Sequence, residues 1–505
     1  MNFPRASGVL LHPTSLPSNY GIGDLGANAY KFVDFLGKAK QTYWQVLPLG
    51  PTGYGDSPYQ AFSTFAGNPL LIALDELREA GLLDDADLTG GEFAAGRVDF
   101  GAVIPWKVER LARAAERFRA GGAPKWRGEY ERFRATEARW LDDYALFRAI
   151  KDEQGGGAWT GWDAPLRLRQ ADALPAARER LAARIDAQHF MQFIFFRQWR
   201  ALKAAANAAG VQIIGDLPIY VALDSSDAWA HQQLFQFDAE GRPTAVSGVP
   251  PDYFSATGQL WGNPLYAWER HAASDYVWWT ERLRAVFEMV DILRIDHFRG
   301  FEAYWSVPAG DMTAERGTWQ PGPGKALFDA ARVALSERQV IAEDLGLITP
   351  GVDALRTALG YPGMAVLQFA FGSGADNLYL PHNLERHYVI YTGTHDNDTT
   401  HGWYTAVGDA TRDHVRRYLA TTGDDVAWDL LRAAWAAVPT TAVAPLQDVL
   451  ALGNAARMNL PGRAGGNWTW RMPPDALTDA LAERLRAVTE LYGRLGDGGT
   501  TRNGV

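Results

Sequence analysis

Eight short apolar runs rich in branched and aromatic residues recur along this chain, at 8–12, 43–47, 211–216, 291–296, 339–343, 364–369, 388–391 and 441–446. Each reads as a strand. Helical periodicity fills most of the intervals; in the first, Ala29, Phe32, Val33 and Leu36 share one side of a helix over 28–38. Strand, loop, helix, strand is a βα unit, and its recurrence predicts an α/β protein, a (β/α)8 TIM barrel. A length of 505 residues suits one large barrel spanning 1–505 and carrying insertions.

Two intervals are too long for a simple crossover. Residues 52–184 are rich in Ala and Arg and predominantly amphipathic, with Val108, Leu111, Ala115 and Phe118 expected on one helix face; this predicts a helical subdomain inserted after strand two. The helix that follows, over 185–208, is apolar nearly all round and is expected to wedge between barrel and insertion. Residues 224–268 read as a loop-rich insertion holding Pro250-Pro-Asp-Tyr-Phe-Ser255 and Trp261-Gly-Asn-Pro264, and a loop of that length in a compact domain is usually a lid or a binding element.

If the fold is such a barrel, chemistry belongs where the strands end. Asp216 ends strand three, Asp296 strand four and Glu343 strand five, while Asp396 lies shortly after strand seven. Four acids are thus expected at one mouth, where burial without pairing would be costly. Arg294 and Asp296 are two apart on a strand and face the same side, so the guanidinium is expected to keep Asp296 ionised, as a carboxylate nucleophile requires. Glu343 follows Val340-Ile-Ala342, and burial there would raise its pKa and suit it to donate a proton and later act as base. Asp396 would hydrogen-bond the reacting group and support the charge that develops at the transition state. Neighbouring strands predict a separation of about 5–5.5 Å between Asp296 and Glu343, the spacing of retaining glycoside chemistry.

Composition narrows the ligand. A formal charge of −10, without a Lys/Arg cluster, argues against nucleic acid. No apolar run approaches the ~18 residues of a membrane span, and the first residues lack a signal-peptide pattern, so no membrane contact and a cytoplasmic location are expected. The absence of cysteine removes disulfides, thiolate metal sites and thiol nucleophiles. Nineteen Trp and nineteen Tyr, several in loops such as Gly53-Tyr-Gly-Asp-Ser-Pro-Tyr59 and Gly258-Gln-Leu-Trp-Gly-Asn263, suit a flat, neutral, hydroxylated ligand such as a sugar. His12, His297 and His395 with the acids could instead ligate a cation, but no His-x-x-x-His pair or compact carboxylate cluster supports that reading. Neither Gly351 nor Pro321-Gly-Pro-Gly324 makes a phosphate loop.

Gly8-Val-Leu-Leu-His-Pro-Thr-Ser-Leu-Pro17, Gly53-Tyr-Gly-Asp-Ser-Pro-Tyr-Gln60, Gly215-Asp-Leu-Pro-Ile-Tyr220, Arg294-Ile-Asp-His-Phe-Arg-Gly300, Ala342-Glu-Asp-Leu-Gly346 and Thr394-His-Asp-Asn397 stand in one order along the chain. Through these motifs the sequence resembles the amylomaltases, bacterial 4-α-glucanotransferases of glycoside hydrolase family 77 in the α-amylase clan, nearly end to end. The resemblance implies a (β/α)8 barrel without a C-terminal β-sandwich, no cofactor and no metal. It implies transfer of α-1,4-glucan segments, from maltooligosaccharides, starch, amylose or glycogen-derived glucans, to the 4-hydroxyl of another glucan or of glucose, or internally to form cycloamyloses. By matching motif it assigns Asp296 as nucleophile, Glu343 as acid/base and Asp396 as transition-state stabiliser. Tyr59, Asp216, Arg294, His395 and Ser57 match sugar-binding positions beside the cleaved bond. Asp252, Tyr253, Phe254, Gln259 and Trp261 match an acceptor-side lid, and Asn467 a second loop bordering the cleft. Phe100 stands where relatives often carry Tyr, a departure that bears on a secondary glucan groove. A monomer is expected.

The same acids would serve a retaining hydrolase. Transfer needs a dry cleft and a held acceptor, which the aromatic loop 250–263 could supply. A non-catalytic glucan binder would lack a member of the Asp296, Glu343 and Asp396 set, and all three are present.

Overall fold

The barrel strands are β1 (Ala6–Leu10), β2 (Tyr43–Gln45) and β3 (Gln212–Pro218), then, after β4 (Ala245–Val249) and β5 (Gln259–Pro264) of a second sheet, β6 (Ile292–Asp296). β7 (Ala303–Pro308) and β8 (Thr318–Pro321) complete the second sheet, and β9 (Val340–Ala342), β10 (Gly363–Val366), β11 (Tyr388–Tyr391) and β12 (Thr441–Pro445) complete the barrel. This computed structural model describes residues 3–251, 255–463 and 465–496.

The barrel strands run in the order β10-β11-β12-β1-β2-β3-β6-β9, and every neighbouring pair is parallel. The Ala342 amide donates to the Pro362 carbonyl at 2.9 Å across the remaining seam. There an Asp344 carboxylate oxygen accepts from the Met364 amide at 2.7 Å, a side chain standing in for a ladder carbonyl. The result is the (β/α)8 TIM barrel read from the strand spacing. Long helices, among them Ala27–Lys38, Ala182–Ala208, Val277–Met289 and Lys325–Leu335, cover the outside, although only 3-10 turns lie between β10 and β11. β12 is the last strand among the described residues, and the helix Asp479–Leu491 follows it.

Between β2 and β3 the helices Phe100–Arg119, Arg127–Glu153 and Ala182–Ala208 pack on one another. Asp99 caps the first by accepting from the Ala102 amide at 3.2 Å. Its buried stripe is Phe100, Val103, Lys107, Leu111, Ala114, Ala115 and Phe118. Val108, which the apolar pattern placed on that face, is 39% exposed. The four-residue step Val103, Lys107, Leu111 sets the stripe, and Val108 is rotated out of it. The helix Ala182–Ala208 buries Phe190, Phe193, Ile194, Phe195, Phe196, Trp199 and Leu202, with the Trp199 indole donating to the Met289 carbonyl at 2.9 Å.

The interval read as loops holds more order than its sequence suggests. β4 and β5 pair antiparallel there and join β7 and β8 in a sheet of order β5-β4-β7-β8 beside the barrel mouth. These strands hide poorly from water: all four residues of β8 are exposed. Their alternation is too weak to declare them.

Candidate active site

Strand register builds the centre of the site. Asp216 of β3 lies opposite Arg294 of β6, Pro218 opposite Asp296, and Ile295 opposite Ala342, the residue before Glu343. All three side chains therefore leave the C-terminal ends of adjacent strands, on the face where barrel sites form. The Arg294 guanidinium donates to both oxygens of Asp216, at 2.8 and 2.7 Å, and to Oδ1 of Asp296 at 3.0 Å. Tyr59, from the loop after β2, donates its hydroxyl to Asp216 Oδ2 at 2.7 Å. Burial and the Asp216 charge raise the Tyr59 pKa well above its ordinary value, so it remains a donor.

The guanidinium is thus shared, which changes the expected charge state of Asp296. Burial outweighs the attraction of Arg294, Asp216 adds repulsion, and the Asp296 carboxyl is pushed up to about 6. The strand pattern suggested a carboxylate held ionised by its neighbour; it could not show that the same arginine already holds another buried acid. Glu343 is pushed up further, to about 7, by burial and then by the Asp296 charge. Its oxygens accept from the backbone amides of His297, at 2.7 Å, and Leu345, at 2.9 Å. His297 makes this possible by ending β6 in the left-handed region, with φ 52°. Burial thus raises both carboxyls, and the Asp296 charge raises Glu343 further, so Glu343 is the one disposed to keep its proton.

The other candidates arrange around that pair. The His395 ring stacks on Tyr59, with centroids 5.0 Å apart, and Trp468 tilts against both. His395 Nε2 lies 3.4 Å from Asp396 Oδ1. Ser57 accepts from the Tyr59 amide at 3.2 Å and shapes that loop. Trp261, on β5, packs edge-on to His297 at 4.7 Å and donates to Gln259 at 3.2 Å, so the second sheet reaches the Glu343 side of the mouth. Asn467 makes its hydrogen bonds within its own loop, to Leu460 and Arg463. Asp252, Tyr253 and Phe254 lie outside the described residues.

Two residues that the sequence did not single out grip Asp396. Asn459 donates its side-chain amide to Asp396 Oδ1 at 2.6 Å and its backbone amide to the His395 carbonyl at 3.1 Å. Arg457 donates to the Asp396 carbonyl at 2.5 Å and pairs with Asp398. Their only sequence signal is position, just upstream of the Gly465-Gly-Asn-Trp468 loop. Beneath the site, His12 is buried and its pKa falls to about 3 through burial and the nearby His395, so it stays neutral. Among the described residues no group of three or more His, Asp or Glu is placed to hold a metal ion. No helix there is long and apolar enough to cross a membrane.

Residues 11–478 match the 4-α-glucanotransferase family, glycoside hydrolase family 77. The chain belongs to the 4-α-glucanotransferases. It is 51% identical over 503 residues to the 4-α-glucanotransferase of Thermus thermophilus, covering 98% of this chain and 100% of that one. It is 49% identical over 495 residues to the Synechocystis 4-α-glucanotransferase, covering 97% and 98%. Its fold superposes on an amylomaltase from Streptococcus agalactiae, solved in complex with acarbose, with a TM-score of 0.94 at 38% identity, covering 98% of this chain and all of the other. The motif resemblance is therefore correct at the level of family and activity: this is a 4-α-glucanotransferase.

Proposed function

We propose that this 4-α-glucanotransferase works by a retaining double displacement on α-1,4-glucans, with maltooligosaccharides, amylose and glycogen-derived chains as donors and a glucan or glucose as acceptor. Asp296 attacks the anomeric carbon of the donor sugar as the glycosidic bond breaks, and Glu343 gives its proton to the departing 4-oxygen. The covalent glycosyl-Asp296 then meets an acceptor 4-hydroxyl. Glu343, now ionised, takes that hydroxyl's proton as its oxygen forms the new bond and Asp296 leaves. When the attacking hydroxyl belongs to the far end of the same chain, the product is a cycloamylose. Asp396 hydrogen-bonds the sugar most strongly when positive charge develops at the ring. Tyr59, Asp216, Arg294, His395 and Ser57 hold the reacting sugar, while Gln259 and Trp261 cover the acceptor, a role that motif matching alone extends to Asp252, Tyr253 and Phe254, and Asn467 borders the cleft.

The observation that carries this reading is the pair of carboxyls at the ends of adjacent strands, Asp296 accepting from the Arg294 guanidinium and Glu343 from the backbone amides of His297 and Leu345, with burial and the Asp296 charge raising Glu343 and so favouring it as the proton donor. The acarbose held by the Streptococcus agalactiae relative supports an oligosaccharide ligand. Incubation with pure maltotriose tests it. Glucose together with a ladder of longer maltodextrins is expected; glucose and maltose without lengthening would make water the acceptor and overturn the transfer step.

A further inference from the structure

β8 presents Trp319 on the outer edge of the second sheet, 40% exposed. One face of its ring is occupied: the Arg299 guanidinium carbon lies 3.9 Å from the ring centroid. Trp305, directly opposite on β7, meets it edge-on with centroids 5.1 Å apart. Trp305 is itself fixed. Its indole donates to the Ala314 carbonyl at 2.8 Å, and it packs so closely on Gly317 that a Cβ there would lie 2.1 Å from its Nε1. Trp319 is therefore a fixed aromatic plate that remains 40% exposed to solvent, with much of its side-chain entropy already lost.

The plate connects on both sides to the catalytic mouth. Arg299, three residues after Asp296, donates to the carbonyl of Leu347, four residues after Glu343. Ala314 donates its amide to the Thr257 carbonyl in the β4–β5 turn at 3.1 Å. The patch thus continues the rim on the side of Glu343, the residue that protonates the departing sugar. Thr318, Gln320 and Pro321, its exposed neighbours on β8, offer a hydroxyl and an amide but little apolar area, too little for a protein interface. A flat ring bordered by such groups suits the apolar face of a pyranose.

Resting on the glucanotransferase reading above, we infer that Trp319, backed by Arg299 and Trp305, is a remote acceptor-side subsite for α-1,4-glucan chains long enough to reach past Glu343. Longer chains gain a contact there that maltotriose does not make.

The test compares the full-length wild type with Trp319→Ala and Trp319→Phe, in kcat/KM for maltotriose and for a long maltodextrin, and in retardation by amylose during native electrophoresis. In Trp319→Ala the long-to-short efficiency ratio falls about tenfold, mainly through KM, amylose retards the protein less, and Trp319→Phe restores most of both. Equal losses on both substrates, or an unchanged ratio, would overturn the subsite. Unchanged retardation in Trp319→Ala, with a wild type that disproportionates maltotriose, removes the subsite and leaves the function intact. Weakened retardation in Trp319→Ala, with a wild type that only hydrolyses maltotriose, removes the transfer reading and leaves the subsite.

Discussion

Replacing Asp296 with Asn removes a charge while keeping the oxygen that accepts from Arg294, so its effect on stability isolates the electrostatics of the site. In the folded chain the Asp296 carboxyl is pushed up to about 6 from an ordinary 3.8, with burial as the main cause and the Asp216 charge adding to it. The folded protein binds this proton more tightly than the unfolded chain does. The contribution to stability is therefore full below about pH 4 and is lost as pH rises through 6. At about 1.4 kcal/mol per pH unit, the loss reaches roughly 3 kcal/mol by pH 8. The side chain is 29% exposed, and water relieves part of that cost. A value of about 2–3 kcal/mol is the expectation. With about 2 cal/mol/K of unfolding entropy per residue over 505 residues, this corresponds to a Tm difference of about 2–3 °C. Asp296→Asn should thus melt within a degree of the wild type at pH 4 and above it at pH 8, with transfer activity lost. The measurement is a pair of calorimetric scans at matched rate across that pH range. A difference that does not vary with pH, or a variant that grows less stable as pH rises, would mean that Arg294 and not burial governs Asp296. The site would then stabilise the fold instead of straining it.

Three further outcomes follow from the same geometry. Asn459→Ala removes a 2.6 Å hydrogen bond to the Asp396 carboxylate, and kcat for maltotriose transfer should fall about 10–100-fold with KM little changed; an unchanged kcat would remove Asn459 from the positioning of Asp396. Trp261→Ala takes away the ring that packs on His297 beside Glu343, and the ratio of released glucose to transferred maltodextrin should rise; an unchanged ratio, with both products measured in one assay, would show that this ring does not keep water from the intermediate. Exhaustive dialysis against EDTA should leave transfer rates as they were, because no described set of His, Asp and Glu is arranged to ligate a metal; activity lost on dialysis and restored by a divalent cation would contradict this.

Much of this protein is written locally. The eight barrel strands are buried runs, and a run such as Val340-Ile-Ala342 must leave water wherever it sits in the chain, so its identity survives without knowledge of its neighbours. Because strands in such a barrel all point one way, an acid at the end of a run is also an acid at the mouth, which is why Asp216, Asp296 and Glu343 could be found by position alone. The second sheet was less legible. β4 and β8 are short and partly or wholly exposed, so they exist through pairing with β7 and leave little trace in their own side chains. Likewise Val108 is exposed where Lys107 is buried, because one residue of helical rotation decides burial and only the packed helices fix that rotation.

The sequence by itself determined that Asp216, Asp296 and Glu343 stand at strand ends on one side of the barrel and to which family the chain belongs, because strand direction and motif order are properties of the chain. Tertiary structure alone decided how the charge is shared there. A guanidinium can face two carboxylates at once, and a carboxyl's proton affinity depends on everything that surrounds it in space. Hence Arg294 divides itself between Asp216 and Asp296, the carboxyls of Asp296 and Glu343 both rise instead of one falling, and a loop some sixty residues downstream supplies the Asn459 that steadies Asp396.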